Sequence, residues 1–162
     1  MSFAASVISL VLKYFVNNKL EDDFIKELAG LQIDEISEQG INKINDFINT
    51  QRSKIETILS RENLKLMDIS EEHVDFVAAE IKDFLLEIEL TDEVLKYCRY
   101  DEKRLTQFLW NQYCGITQNI EYEDDMKKGF HILGTTIDKL KSKSEGFQIE
   151  LLKQINSSVE DI

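Results

Sequence analysis

Apolar residues in this sequence recur at intervals of three and four almost from end to end, the spacing that gathers side chains on one face of an α-helix. From Phe3 to Val16 it is the polar positions Ser2, Ser6, Ser9, Lys13 and Asn17 that recur in this way. The remaining surface of that helix is apolar, so most of it must be covered. Glu21 to Ala29 reads as a short second helix, with Glu21, Asp22 and Asp23 complementing the dipole in its first turn and Gly30 ending it. Between Asp34 and Glu62 the series Ile41, Ile44, Ile48, Gln51, Ile55 and Ile58, widened by Phe47 and Leu59, predicts one long helix packed along a seam. Gln51 is the polar member of the seam. It is read as a partly exposed position, with specification of register as the alternative.

Three later helix starts share one style. Ser70, Thr91 and Asp101 stand as caps, and Glu71 with Glu72 and Asp92 with Glu93 fill the first turns of the first two. The pairs Ile69 and Val74, Leu90 and Leu95, and Tyr100 and Leu105 are spaced as hydrophobic staples. The stripe Val74, Val77, Ala78, Ile81, Leu85 and Ile88, broadened by Phe76 and Phe84, follows the first of them. Gly115 is expected to close the helix begun at Asp101. A long helix from about Ile120 to Lys141 then carries Tyr122, Met126, Phe130, Leu133, Ile137 and Leu140, with Lys139, Lys141 and Lys143 suiting its carboxyl end. Ser144 is expected to cap a last helix bearing Phe147, Leu151, Leu152 and Ile155.

No segment alternates with period two, no fixed repeat is visible, proline is absent and glycine occurs six times. The expectation is an all-α bundle of about six to eight helices, two of them long. It forms a single domain over residues 1–156, with 157–162 a tail or the start of a linker. At 162 residues the chain can bury a core without disulfides or metal.

Charge narrows the partners. Nineteen Lys and Arg stand against 31 Asp and Glu, a formal net charge of -12, which repels nucleic-acid backbones, so no nucleic acid is expected. Two cysteines and the lack of a secretory pattern at the amino terminus fit a reducing cytoplasm. The Phe3 to Val16 run is shorter than the roughly 20 residues a spanning helix needs, so no resting transmembrane segment is expected.

Candidate chemistry mostly fails on its own requirements. The stretch Gly129 to Thr136 has the outline of a phosphate-binding loop, but Thr135 stands where a lysine is needed, and the apolar spacing places both glycines inside a helix as packing positions. His73, Cys98, Cys114 and His131 lack the short paired spacings of a zinc site. No cysteine or serine has a local base and oxyanion motif. Glu80 with Lys82, and Glu123, Asp124 and Asp125 with Lys127, fall on helix faces without the strands that gather carboxylates around a metal. No catalytic residue, metal or cofactor is assigned. The expected activity is interaction with protein or self-association.

Two sets of residues carry that expectation. Phe3, Val7, Leu10, Val11 and Tyr14 belong to the apolar first helix, which is either the central core helix or a segment releasable into a membrane or a partner's groove on activation. Tyr97, Tyr100, Trp110 and Tyr113, with Phe108, gather rings of the kind that dominate interfaces, with core packing as the other reading.

The apolar first helix, the long Ile-rich helix, and the stretches from Cys98 to Leu105 and from Gly146 to Ile155 together resemble the amino-terminal helical domains of bacterial NACHT-type signalling NTPases, STAND proteins related to NOD-like receptors. The resemblance implies a role in antiviral (antiphage) defence and innate immunity, in which oligomerisation of a downstream NTPase turns this domain into a clustered output. ATP would enter only through that downstream domain. The alternative is a freestanding cytoplasmic helical adaptor or regulatory subunit.

Overall fold

A computed structural model describes residues 2–17, 38–99 and 102–160. The expected helix from Glu21 to Ala29, its terminator Gly30, Tyr100 and the Asp101 cap lie outside the described residues. Among those described are seven α-helices and one 3-10 turn: α1 (Phe3–Asn17), α2 (Glu38–Ile58), α3 (Arg61–Leu66), α4 (Val74–Glu87), α5 (Asp92–Leu95), the 3-10 turn Lys96–Arg99, α6 (Glu102–Ile116) and α7 (Glu123–Glu160). The architecture is the all-α bundle that the periodicity predicts, with α2 and α7 as its two long members.

The wide apolar face of α1 makes it the hub. Nine of its 15 residues are buried, and it packs against α2, α4 and α7. Its start is fixed twice: the Ala5 amide donates to Ser2 Oγ at 3.2 Å, and the Ser2 amide donates to the Asp92 carboxylate at 2.9 and 3.1 Å. That bonding helps hold Asp92 below the usual aspartate range against the opposing effect of burial. α5 starts as expected, with Thr91 Oγ1 accepting from the Val94 amide and both Leu90 and Leu95 buried.

The expected single helix over Asp34 to Glu62 instead breaks after Ile58. Ser60 turns extended, donates its hydroxyl to the Thr57 carbonyl at 2.7 Å and caps α3 at the Asn63 amide, while the Asn63 side chain takes the freed Ile58 carbonyl at 2.7 Å. Short polar side chains here outbid the helix for backbone groups. α3 closes in a Schellman arrangement, with Ile69 N–H bonded to Leu64 O and Asp68 N–H to Lys65 O. The left-handed position is Asp68, at φ 66°.

Two further expectations are corrected. Ser70 does not cap a helix at once: residues 71–73 form a turn in which the His73 amide donates to the Ser70 carbonyl at 2.9 Å, and α4 begins at Val74. Nor does Ser144 start a new helix. It is fully buried within α7, with its hydroxyl donated back to the Leu140 carbonyl at 2.7 Å. The series Ile137, Leu140, Ser144, Phe147 and Leu151 keeps its three- and four-residue step through the lysines, so one apolar face runs unbroken and α7 spans 38 residues.

The lower part of α7 is stacked onto the hub: Phe147 lies 4.3 Å from Phe47, nearly parallel, and 6.2 Å from Phe3. The two central glycines of α7 are packing positions. A Cβ on Gly129 would lie 2.7 Å from Val77 Cγ1 of α4, and one on Gly134 would collide with Thr106 of α6. Helices α4 and α6 reach α7 where no side chain intervenes.

Candidate functional site

The residues singled out in the sequence divide by burial. Phe3, Val7, Leu10 and Val11 lie in the core, and Tyr14 is half-buried with the Arg52 guanidinium 4.3 Å above its ring. α1 is thus the core helix, with only Tyr14 and Val16 of its apolar residues partly exposed. The aromatic set is likewise mostly internal. Tyr113 is buried against Phe130 and Phe84, and half-buried Trp110 meets both Tyr113 and Phe130. Burial and the bond its hydroxyl donates to Glu80 at 2.8 Å push the Tyr113 phenol well above the tyrosine range. Only Tyr97 of the described set is exposed, stacked on Phe108.

The structure assembles two polar clusters instead, both on α7. The first ties its amino end to the turn before α4. His73 Nδ1 lies 2.6 Å from Asp125 Oδ2, the His73 ring stacks on Tyr122 at 3.8 Å, and Phe76 meets Tyr122 edge-on. Tyr122 takes a left-handed backbone, φ 52°, just before the helix. Lys128 donates to the Asp68 carbonyl at 2.9 Å and stands 3.8 Å from Asp125. Burial would raise the Asp125 pKa, but the bonds from His73 and Ser70 and the charge of Lys128 hold it below the usual aspartate range.

The second cluster is a groove of about 600 Å³ between α2 and the middle of α7. Its α2 wall carries Thr50, Gln51, Ser53, Lys54, Ile55, Thr57 and Ile58; Thr136, Lys139, Leu140 and Lys143 come from α7. Lys139 and Lys143 are one turn apart, and Lys54 faces them. The Lys54 ammonium lies near enough to Lys143 to hold it below the usual lysine range, with burial and Lys139 adding to the effect. Lys141, between them in sequence, pairs with Glu145. Among the described residues, no carboxylate pairs with Lys54, Lys139 or Lys143.

Gln51 is 94 % buried at the edge of this groove, correcting its reading as a partly exposed seam position. Thr136, equally buried, gives its proton to the Ile132 carbonyl at 2.7 Å. Sequence reasoning missed this site because Lys139, Lys141 and Lys143 read as the end of a helix, and only the fold brings Lys54 across to them. The available signal was Lys139 and Lys143 at i and i+4 with no acidic residue between them or one turn beyond.

Among the described residues, no three His, Cys, Asp or Glu converge as a metal site, and no helix is long and apolar enough to cross a membrane. Compared with protein-family models, curated proteins and solved structures, the chain finds no match.

Proposed function

We propose that this chain is a helical binding domain whose working surface is the lysine groove between α2 and α7, and that it is the amino-terminal interaction domain of a NACHT-type antiphage defence protein. The observation carrying the first part is the convergence of three ammonium groups with no paired carboxylate among the described residues, in a chain whose net charge is -12. Acidic residues outnumber basic ones, yet none of the described ones pairs with these lysines, so the positive potential there suits an anionic group from outside. The second part is supported by the sequence resemblance carried by Cys98 to Leu105 and Gly146 to Ile155.

In that setting the domain acts when an NTPase core clusters it. Tethering raises local concentration toward about the millimolar range, where weak contacts through one groove become decisive. Since α1 is the packing hub, the reading relies on a pre-formed surface and not on release of the first helix.

Fusing the full chain to an unrelated ring-forming protein and expressing it in bacteria tests this. Growth arrest is expected, and replacing Lys54, Lys139 and Lys143 together by glutamate should abolish it while circular dichroism shows unchanged helicity. Arrest that survives the triple reversal, or no arrest from the clustered wild-type chain, counts against the proposal.

A further inference from the structure

The groove has more definition than a basic patch, and resting on the reading above, its ligand class can be narrowed. We infer that the α2–α7 groove binds a phosphate-bearing small molecule, whose phosphate is held by Lys54, Lys139 and Lys143 and whose remainder sits against Gln51, Ile55 and Leu140.

Three observations converge on this class. The first is number and geometry: two lysines one turn apart on α7 meet a third from α2, so an anion among them is approached from both walls. Ammonium groups hold phosphate as point charges through short, charge-assisted hydrogen bonds. Without an anion the same groups repel, as the lowered Lys143 shows. The second is Gln51, a polar side chain on the groove wall whose residue is 94 % buried. Its amide offers one acceptor oxygen and two N–H donors to the polar part of a ligand entering the groove. The third is size: about 600 Å³ lies inside the range of roughly 300–1,000 Å³ that suits small-molecule sites.

Size also argues against larger anions. A polyanion longer than the groove must lay charge against the surrounding acidic surface, within the Debye length of about 8 Å over which a net charge of -12 repels it. A small ion inside the groove stays within that length of all three lysines. The walls add Thr50, Ser53 and Thr57, hydroxyls that can bond phosphate or sugar oxygens, while Ile55, Ile58 and Leu140 offer apolar surface to the rest of the ligand.

A lipid headgroup presents the same phosphate chemistry as a free small molecule, and the test separates the two. Titration calorimetry of the full chain with inorganic pyrophosphate at physiological salt should show one saturable site. Lys54→Met and Lys143→Met should each weaken it about tenfold or more, and Gln51→Leu should weaken binding of a nucleoside diphosphate more than that of pyrophosphate. Lys127→Met, on another face beside Trp110, should leave both unchanged. Thermal melts guard against misfolding, since removing one of the repelling lysines should hold or raise the melting temperature.

Absence of saturable pyrophosphate binding up to about 1 mM, or binding indifferent to Lys54→Met, overturns the inference. So does binding only to vesicles of phosphatidylcholine with a phosphatidylinositol bisphosphate, or only to an acidic decapeptide. In these last two cases the anion-binding groove of the preceding section still stands. If the clustered triple variant also arrests growth, both readings fall.

Discussion

The two polar clusters on α7 differ in one respect that separates structure from function. At its amino end, His73, Ser70 and Lys128 converge on Asp125, and the fold favours that carboxylate in its charged form. In the middle of the same helix, Lys54, Lys139 and Lys143 converge on one another, and the fold disfavours the charged form of Lys143. The first arrangement is what a chain does to hold itself together. The second costs the empty domain stability and makes sense energetically when something else completes it.

Both clusters hang on a frame centred on α1, so the largest expected effect comes from breaking that frame. Leu10→Asp with Val11→Asp puts two carboxylates into fully packed surroundings and should cost more than about 5 kcal/mol, leaving no cooperative thermal transition. A folded variant would mean that α1 is dispensable to the bundle. Next is Asp125→Ala, which strands His73 and the Ser70 donors and should cost about 2–3 kcal/mol in denaturant melts. A loss below about 0.5 kcal/mol would remove the contrast between the clusters.

The pH dependence sharpens the same contrast from both ends. Because the folded Asp125 pKa lies below its ordinary value of 3.8, its contribution is fully present above that pH and is lost as pH falls through the lowered folded value. Because the folded Lys143 pKa lies below 10.5, the penalty is full at neutral pH, and stability recovers as pH rises from the lowered folded value toward 10.5. Denaturant melts across pH should show the acid loss diminished in Asp125→Asn and the alkaline recovery diminished in Lys54→Met. At neutral pH, Lys54→Met should stabilise the free domain by about 0.3–0.5 kcal/mol, the smallest effect and opposite in sign to Asp125→Ala.

Much of the architecture was legible from local rules. The spacing of apolar residues gave the helix class and the covered face of α1, Thr91 announced its cap, and Gly129 and Gly134 read correctly as packing positions. The misreadings arose where a side chain had two uses. Ser60 and Ser144 carry the same hydroxyl, yet one breaks a helix by bonding backbone around it, while the other is buried in a continuous helix and bonds back one turn. Ser70 serves Asp125, 55 positions away, and no local rule carries that information. The groove was hidden for the same reason: Lys54 and Lys143 are far apart in sequence, and Gln51 gave no sign that it would be buried at the groove wall.

The most direct test of the unpaired groove is nuclear magnetic resonance of the lysine side chains during titration with inorganic pyrophosphate. The account predicts that Lys54, Lys139 and Lys143 shift together and saturate at one equivalent, while Lys127 and Lys128 stay in place. Small shifts spread over all the lysines without saturation would contradict it.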